Sequence, residues 1–108
     1  MTTMATIAQS AVELDVMRVL HALADPVRLQ LVRQLWLSED PIVCGHFETT
    51  VAKSTLSHHL KILRDAGIMT TTTVDRARKL NTLRVDELDA AFPGLLNAIL
   101  PAGSAASR

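Results

Sequence analysis

The stretch from Lys53 to Gly67, KSTLSHHLKILRDAG, limits what this chain can fold into more than any other part of it. At helical spacing Leu56, Leu60 and Leu63 fall at i, i+4 and i+7, while Lys53, Thr55, Ser57, His58, Lys61 and Arg64 fall around the rest of the cylinder. Such a helix has one stripe that needs a core. Its remaining surface carries hydroxyls, imidazoles and positive charge, the groups that meet base edges and phosphates. Ser54 or Ser57 offers an N-cap and Gly67 a stop, which predicts a helix of about three to four turns. A solvated amphipathic surface helix would show the same pattern, so the remainder of the chain has to decide between the two.

At 108 residues the chain has material for one core. Its hydrophobic fraction of 48%, with 3% aromatics and no tyrosine, predicts an aliphatic, mostly α domain. No apolar run reaches membrane-spanning length, and MTTMATIAQS lacks a basic region followed by an apolar one, so the sequence predicts a cytoplasmic location. Formal net charge is zero, but the charges are segregated. Lys53, Lys61, Arg64, Arg76, Arg78, Lys79 and Arg84 are opposed within their own stretch only by Asp65 and Asp75, and the flanks are acidic. A basic middle between acidic flanks suits a domain that turns one surface to a polyanion and another to a second copy of itself.

In chain order, residues 1–11 read as a flexible arm, 12–100 as the folded domain and 101–108 as a flexible tail. Val12, Val16, Val19, Leu20 and Leu23 predict a first helix ending near Ala24. Asp25 as N-cap and Pro26 at the first helical position then open a second helix to about Trp36, apolar around most of its circumference and hence central to the core. His21, beside that core, reads as a packed or surface histidine rather than a ligand. Leu37 to Pro41 is a connection, Ile42 to Phe47 is sized for about one helical turn, and Glu48 to Lys53 leads into the polar-faced helix. Ile68–Val74 and Arg78–Val85 have strand composition around the charged tip Asp75–Ala77, which predicts a hairpin. Asp86 reads as the N-cap of a last element carrying Leu88, Phe92, Leu95, Leu96, Ile99 and Leu100, broken or kinked at Pro93-Gly94.

That order, mostly α with a small β-hairpin, is that of a winged helix-turn-helix. LADPVRLQLVRQL (Leu23–Leu35) followed by KSTLSHHLKILRDAGIM (Lys53–Met69) resembles the ArsR/SmtB family of small bacterial repressors, over Val12 to about Leu100. The resemblance implies a reader made of the second helix, a turn and the third, a β-hairpin wing, and a homodimer built by the helices at both ends. It also implies a double-stranded operator of two-fold character, released on binding of an effector or metal. Ser54, Ser57 and His58 match positions that commonly face DNA in that family, whereas Lys53 stands where many members carry Gln.

The chemistry of those residues points the same way. The N-terminal half of a helix lying in a major groove roughly 12 Å wide is its reading end. Lys53, Ser54, Thr55, Ser57 and His58 occupy it, with Lys61 a turn further on and suited to phosphate. Arg76, Arg78 and Lys79 can place charge on the flanking backbone or in the minor groove. Each alone could be a solvated side chain; the set favours DNA. The leucine-rich last helix and the outer stripe of the first predict a dimer.

Sensing residues are sparser. The Cys-x-Cys type sites or paired Asp/His sites of many relatives are absent, leaving Cys44 and His46 as the one soft pair close in sequence. A zinc site needs about four ligands, or three plus water, so the sequence implies no cofactor and disfavours a metal. Cys44 reads first as a small buried hydrophobe and second as a thiol switch ahead of the reading helix. No phosphate loop or nucleophile motif suggests an enzyme. A winged-helix protein-interaction module is the serious rival, because fold does not fix function.

Overall fold

The computed structural model describes residues 13–75 and 78–101, and two aspartates start the first two helices among these residues. Asp15 accepts from the Arg18 N–H at 3.1 Å to open α1 (Val16–Leu23). Asp25 accepts from the N–H groups of Val27 and Arg28 at 2.8 and 3.1 Å to open α2 (Pro26–Leu37), with Pro26 in the first turn as expected. Residues 1–12, 76–77 and 102–108, and with them the expected arm, Val12, Arg76 and all but the first residue of the tail, lie outside the described residues. The expected apolar face of the first helix divides. Val19, Ala22 and Leu23 are buried, while Val16, Met17 and Leu20 stay 46%, 70% and 46% exposed. Val19–Leu23 and Val16–Leu20 are adjacent i,i+4 rows, and only the first turns inward.

The second helix is central, as its composition requires. It buries Leu31, Val32, Leu35 and Trp36 together with Arg28. The Ile42–Phe47 segment differs from the expectation of one helical turn: Ile42–Val43 forms β1, and a 3-10 turn follows at Cys44–His46. β-Branched residues extend readily, and β1 finds an unpaired strand edge to join. The predicted hairpin, β2 (Met69–Val74) and β3 (Arg78–Leu83), is therefore part of a three-stranded antiparallel sheet in the order β1-β3-β2. Its register pairs Met69 with Leu83, Thr71 with Asn81 and Val74 with Arg78 across the hairpin, and Ile42 with Asn81 at the other edge of β3.

Between β1 and β2 lies α3 (Lys53–Asp65), and after the sheet come α4 (Val85–Ala91) and α5 (Leu95–Ile99). Asp86 is not the N-cap of α4. Arg84 holds that position without a side-chain cap bond, and Asp86 sits in the first turn, favourable to the helix dipole. The expected break falls between Phe92 and Gly94, where Gly94 takes φ +86°. One core runs through all the elements, from Val19 and Trp36 through Leu56, Leu60 and Leu63 to Ile68, Leu83, Leu88 and Leu96. The indole N–H of Trp36 donates to the Pro101 carbonyl at 2.9 Å and ties the end of the described chain to α2.

Candidate nucleic-acid interface

The position of α3 is set first by its apolar stripe. Leu56, Leu60 and Leu63 are all buried, each contributing about 1.5–3 kcal/mol relative to exposure. The N-terminus departs from expectation: Ala52, not Ser54 or Ser57, is the N-cap residue, and no side chain caps it. Both serines therefore lie inside the helix and are exposed, and the first N–H groups of α3 have no side-chain cap. The C-terminus ends where Gly67 predicted. Gly67 adopts φ +83°, its N–H donates to Arg64 O at 3.0 Å and that of Ile68 to Leu63 O at 3.1 Å, the paired bonds of a Schellman motif.

Side chains fasten the approaches. Gln34 on α2 clasps the backbone of Glu48, donating to its carbonyl at 2.8 Å and accepting from its N–H at 2.9 Å, which fixes the loop leading into α3. Arg84 donates to the Gly67 carbonyl at 3.0 Å, joining the end of α3 to the end of β3.

Lys53, Ser54, Thr55, Ser57, His58 and Lys61 are exposed, together on the part of α3 that the leucines leave unburied. Lys61 is bonded to Asp65 at 2.8 Å with both side chains more than half exposed; that bond holds the Asp65 carboxyl below the ordinary aspartate range. An exposed pair of this kind is worth roughly 0.5 kcal/mol and yields readily to a phosphate. On the hairpin, Arg78 and Lys79 are exposed, with Arg78 3.4 Å from Asp75 at the tip. Asp75 takes a left-handed φ of 41°, one of the few non-glycine side chains that tolerate it. Arg76, expected beside them, lies outside the described residues.

Two polar residues of the interior escaped the sequence reading. Arg28 is only 7% exposed. Its Nε donates to Ala22 O at 2.7 Å, Nη2 to His21 O at 3.3 Å, and Nη1 lies 3.3 Å from Nδ1 of His59 on α3. The Arg28 N–H, followed by that of Val27 and by the charges of Arg28 and His59, holds the Asp25 carboxyl below the ordinary range against the opposing effect of burial. Asn81, fully buried, accepts from Thr71 Oγ1 at 2.8 Å and donates to Ile42 O at 2.9 Å and to Cys44 Sγ at 3.2 Å. A signal existed for each. Arg28 precedes Leu31 and Val32 by three and four residues, and Asn81 alternates with Leu83, so both share a face with core residues.

The Cys44 thiol is half-buried against the sheet, while His46 is exposed. Among the described residues no three His, Cys, Asp or Glu side chains come together as metal ligands, and no helix is long and apolar enough to cross a membrane.

A helix held on three leucines with its polar face outward, preceded by a packed partner helix and followed by a small antiparallel sheet, defines a winged helix-turn-helix. The family described as Helix-turn-helix domain matches residues 23–72, which takes in α2, α3 and the start of β2. Over 84 residues, covering 76% of this chain and 83% of the relative, the sequence is 34% identical to the uncharacterized HTH-type transcriptional regulator YceK of Bacillus subtilis (strain 168). The chain belongs to the helix-turn-helix transcriptional regulators, and its class of partner is DNA.

Proposed function

We propose that the protein is a homodimeric, sequence-specific repressor of the ArsR/SmtB type, released from its operator by an effector. The observation that carries the reading is the outward row of α3: Lys53, Ser54, Thr55, Ser57, His58 and Lys61 are exposed together on a helix fixed from behind by Leu56, Leu60 and Leu63. In this reading Ser54, Thr55, Ser57 and His58 meet base edges, Lys53 and Lys61 meet phosphates, and Arg76, Arg78 and Lys79 of the wing hold the flanking backbone. The exposed Val16, Met17 and Leu20 of α1 and Ile99 of α5 support an isologous dimer through the ends of the chain, which would present two reading helices to a two-fold operator. A protein-interaction module would have no use for so polar and basic a helix.

Cys44 serves in this reading as an anchor of the wing, supported by its hydrogen bond from buried Asn81, and not as a sensor with His46. A Cys44→Ser protein is accordingly expected to keep the wild-type response to peroxide and Zn(II).

Fluorescence-anisotropy titration onto the DNA upstream of the protein's own coding sequence, against a scrambled fragment, tests the function. Repetition with reductant, chelator and Zn(II) tests release. Preferential binding that weakens steeply with salt is expected, as counterions return to the phosphates. Equal, weak, salt-erased binding to both fragments would refute it, and a monomer at micromolar concentration in sedimentation equilibrium would remove the two-fold operator.

A further inference from the structure

Arg28 links three helices. Its guanidinium is buried at the place where α1 ends, α2 begins and α3 crosses behind them. Two of its nitrogens are committed to the α1 carbonyls of His21 and Ala22, and a third reaches the imidazole of His59 at 3.3 Å. His59 is half-buried and sits beside exposed His58 on the same helix, their ring centroids 6.1 Å apart. Arginine has donors only, so the nitrogen facing it must be an acceptor. His59 Nδ1 therefore carries a lone pair, and the ring proton of the neutral imidazole is on Nε2.

We propose that Arg28 and His59 are positioning residues for the reading helix, and that their bond is a proton-labile strut, so that protonation of His59 displaces α3 and weakens DNA binding. The inference rests on the reading of α3 given above. A second proton on His59 puts an N–H against a guanidinium N–H and removes the bond. The groups around the imidazole decide the sign. Arg28 comes from α2, Asp25 from the turn before it, Arg18 and His21 from α1, and His58 from α3 itself, while β2 carries no titratable side chain. Asp25 balances Arg28 and Arg18 is a further cation, so a charged His59 adds to a positive excess in this partly buried group. The DNA-bound state then holds fewer protons than the free one, and affinity rises with pH. Simple attraction between protonated histidines and phosphates gives the opposite slope.

The test compares wild type with His59→Asn, whose Oδ1 replaces the Nδ1 acceptor and cannot titrate, in anisotropy titrations from pH 8 to pH 5.5 on the native upstream fragment. The expected result is a loss of wild-type affinity on acidification, by at most about tenfold per pH unit for one linked proton, and a flatter profile for the variant. Since His58 is present in both proteins, its contribution cancels. Nitrogen-15 spectra of the imidazoles and backbone amides of the free wild-type protein supply a readout that needs no DNA. They are expected to show the Nε2–H tautomer at His59 and movement of α3 amides as that ring titrates. Identical pH profiles for the two proteins, or a His59 proton on Nδ1 in the neutral ring, would overturn the strut. Failure to bind the native fragment even at pH 8 would refute the proposed function instead, and the spectra would still decide the strut.

Discussion

Replacing Asn81 tests how the wing is held. The side chain is fully buried and makes three hydrogen bonds, to Thr71 on β2, to the Ile42 carbonyl on β1 and to the Cys44 thiol. A net value of about 1 kcal/mol applies to each of the two oxygen bonds and about half that to the sulfur contact. Losing the donor also leaves the Ile42 carbonyl short of one partner, which adds on the order of 1 kcal/mol. Asn81→Ala should thus cost about 3.5 kcal/mol, or roughly 14–28 °C in Tm for a domain of this size. Asn81→Leu, close to it in volume, should cost nearly as much, because the loss lies in the polar contacts and not in a cavity. Trp36 is the one tryptophan of the chain and lies in the core, so urea unfolding followed by its fluorescence reads the whole domain. Thr82→Ala, exposed on the same strand, is the control, expected within about 0.5 kcal/mol of wild type. A loss below about 1 kcal/mol for Asn81→Ala at unchanged m, or full recovery in Asn81→Leu, would show that the wing does not depend on these bonds.

Asp25→Ala should cost about 1 kcal/mol by removing the cap of α2. Because the folded Asp25 titrates below the ordinary value of 3.8, its contribution is full above that value and is lost as pH falls through the lower folded one; acid melts of Asp25→Asn should lack this component. Lys61→Ala should lower the salt slope of operator binding by about one while changing the stability of the free protein by less than about 0.5 kcal/mol, since its bond to Asp65 is exposed. His58→Ala should relax sequence preference by about 1–3 kcal/mol, measured by competition between native and point-mutated fragments. Gly94→Ala places its methyl in open space yet forces φ +86° on an alanine, so urea melts should show a backbone cost of about 1 kcal/mol without a packing loss.

What the sequence made legible follows from local rules. Asp25-Pro26, the Leu56-Leu60-Leu63 stripe and Gly67 each fix a helix end or face through neighbours within a turn or two, and each stands where the pattern placed it. Two misplaced features are local, the expected caps Ser54 or Ser57 and Asp86, each of which lies inside its helix instead of before it; the misplaced strand is settled at long range. Ile42–Val43 becomes a strand because β3 offers it an edge nearly forty residues away, a pairing no local window contains. The strand expected over Arg78–Val85 ends at Leu83, with Val85 opening α4, and its inward face is Asn81 and Leu83, with Leu80 only half-buried. Alternation with Leu83 marks Asn81 as inward, but its partners lie on other elements and no local pattern names them. Of the candidate site, the α3 row was legible because period and chemistry coincide there; the hairpin cations were legible only as charge.

The same limit explains why the supports of the interface were harder to see than its surface. An outward face is defined by what it leaves unburied, and spacing alone reveals that. A support is a pairing between elements, here Arg28 with His59 behind the reader and Asn81 with Thr71, Ile42 and Cys44 inside the wing. The leucine stripe confines α3 to the core, but dispersion and apolar burial are non-directional and tolerate small rotations about the helix axis. Hydrogen bonds to a buried guanidinium and a buried amide tolerate them far less, since their strength falls steeply with angle. The burial of Leu56, Leu60 and Leu63 thus supplies most of the energy that holds α3, while Arg28 fixes its rotation and Asn81 fixes the strand register. The proposed function asks for that second kind of constraint, because in that reading a small error in rotation would move Ser57 and His58 by enough to lose a hydrogen bond to a base edge.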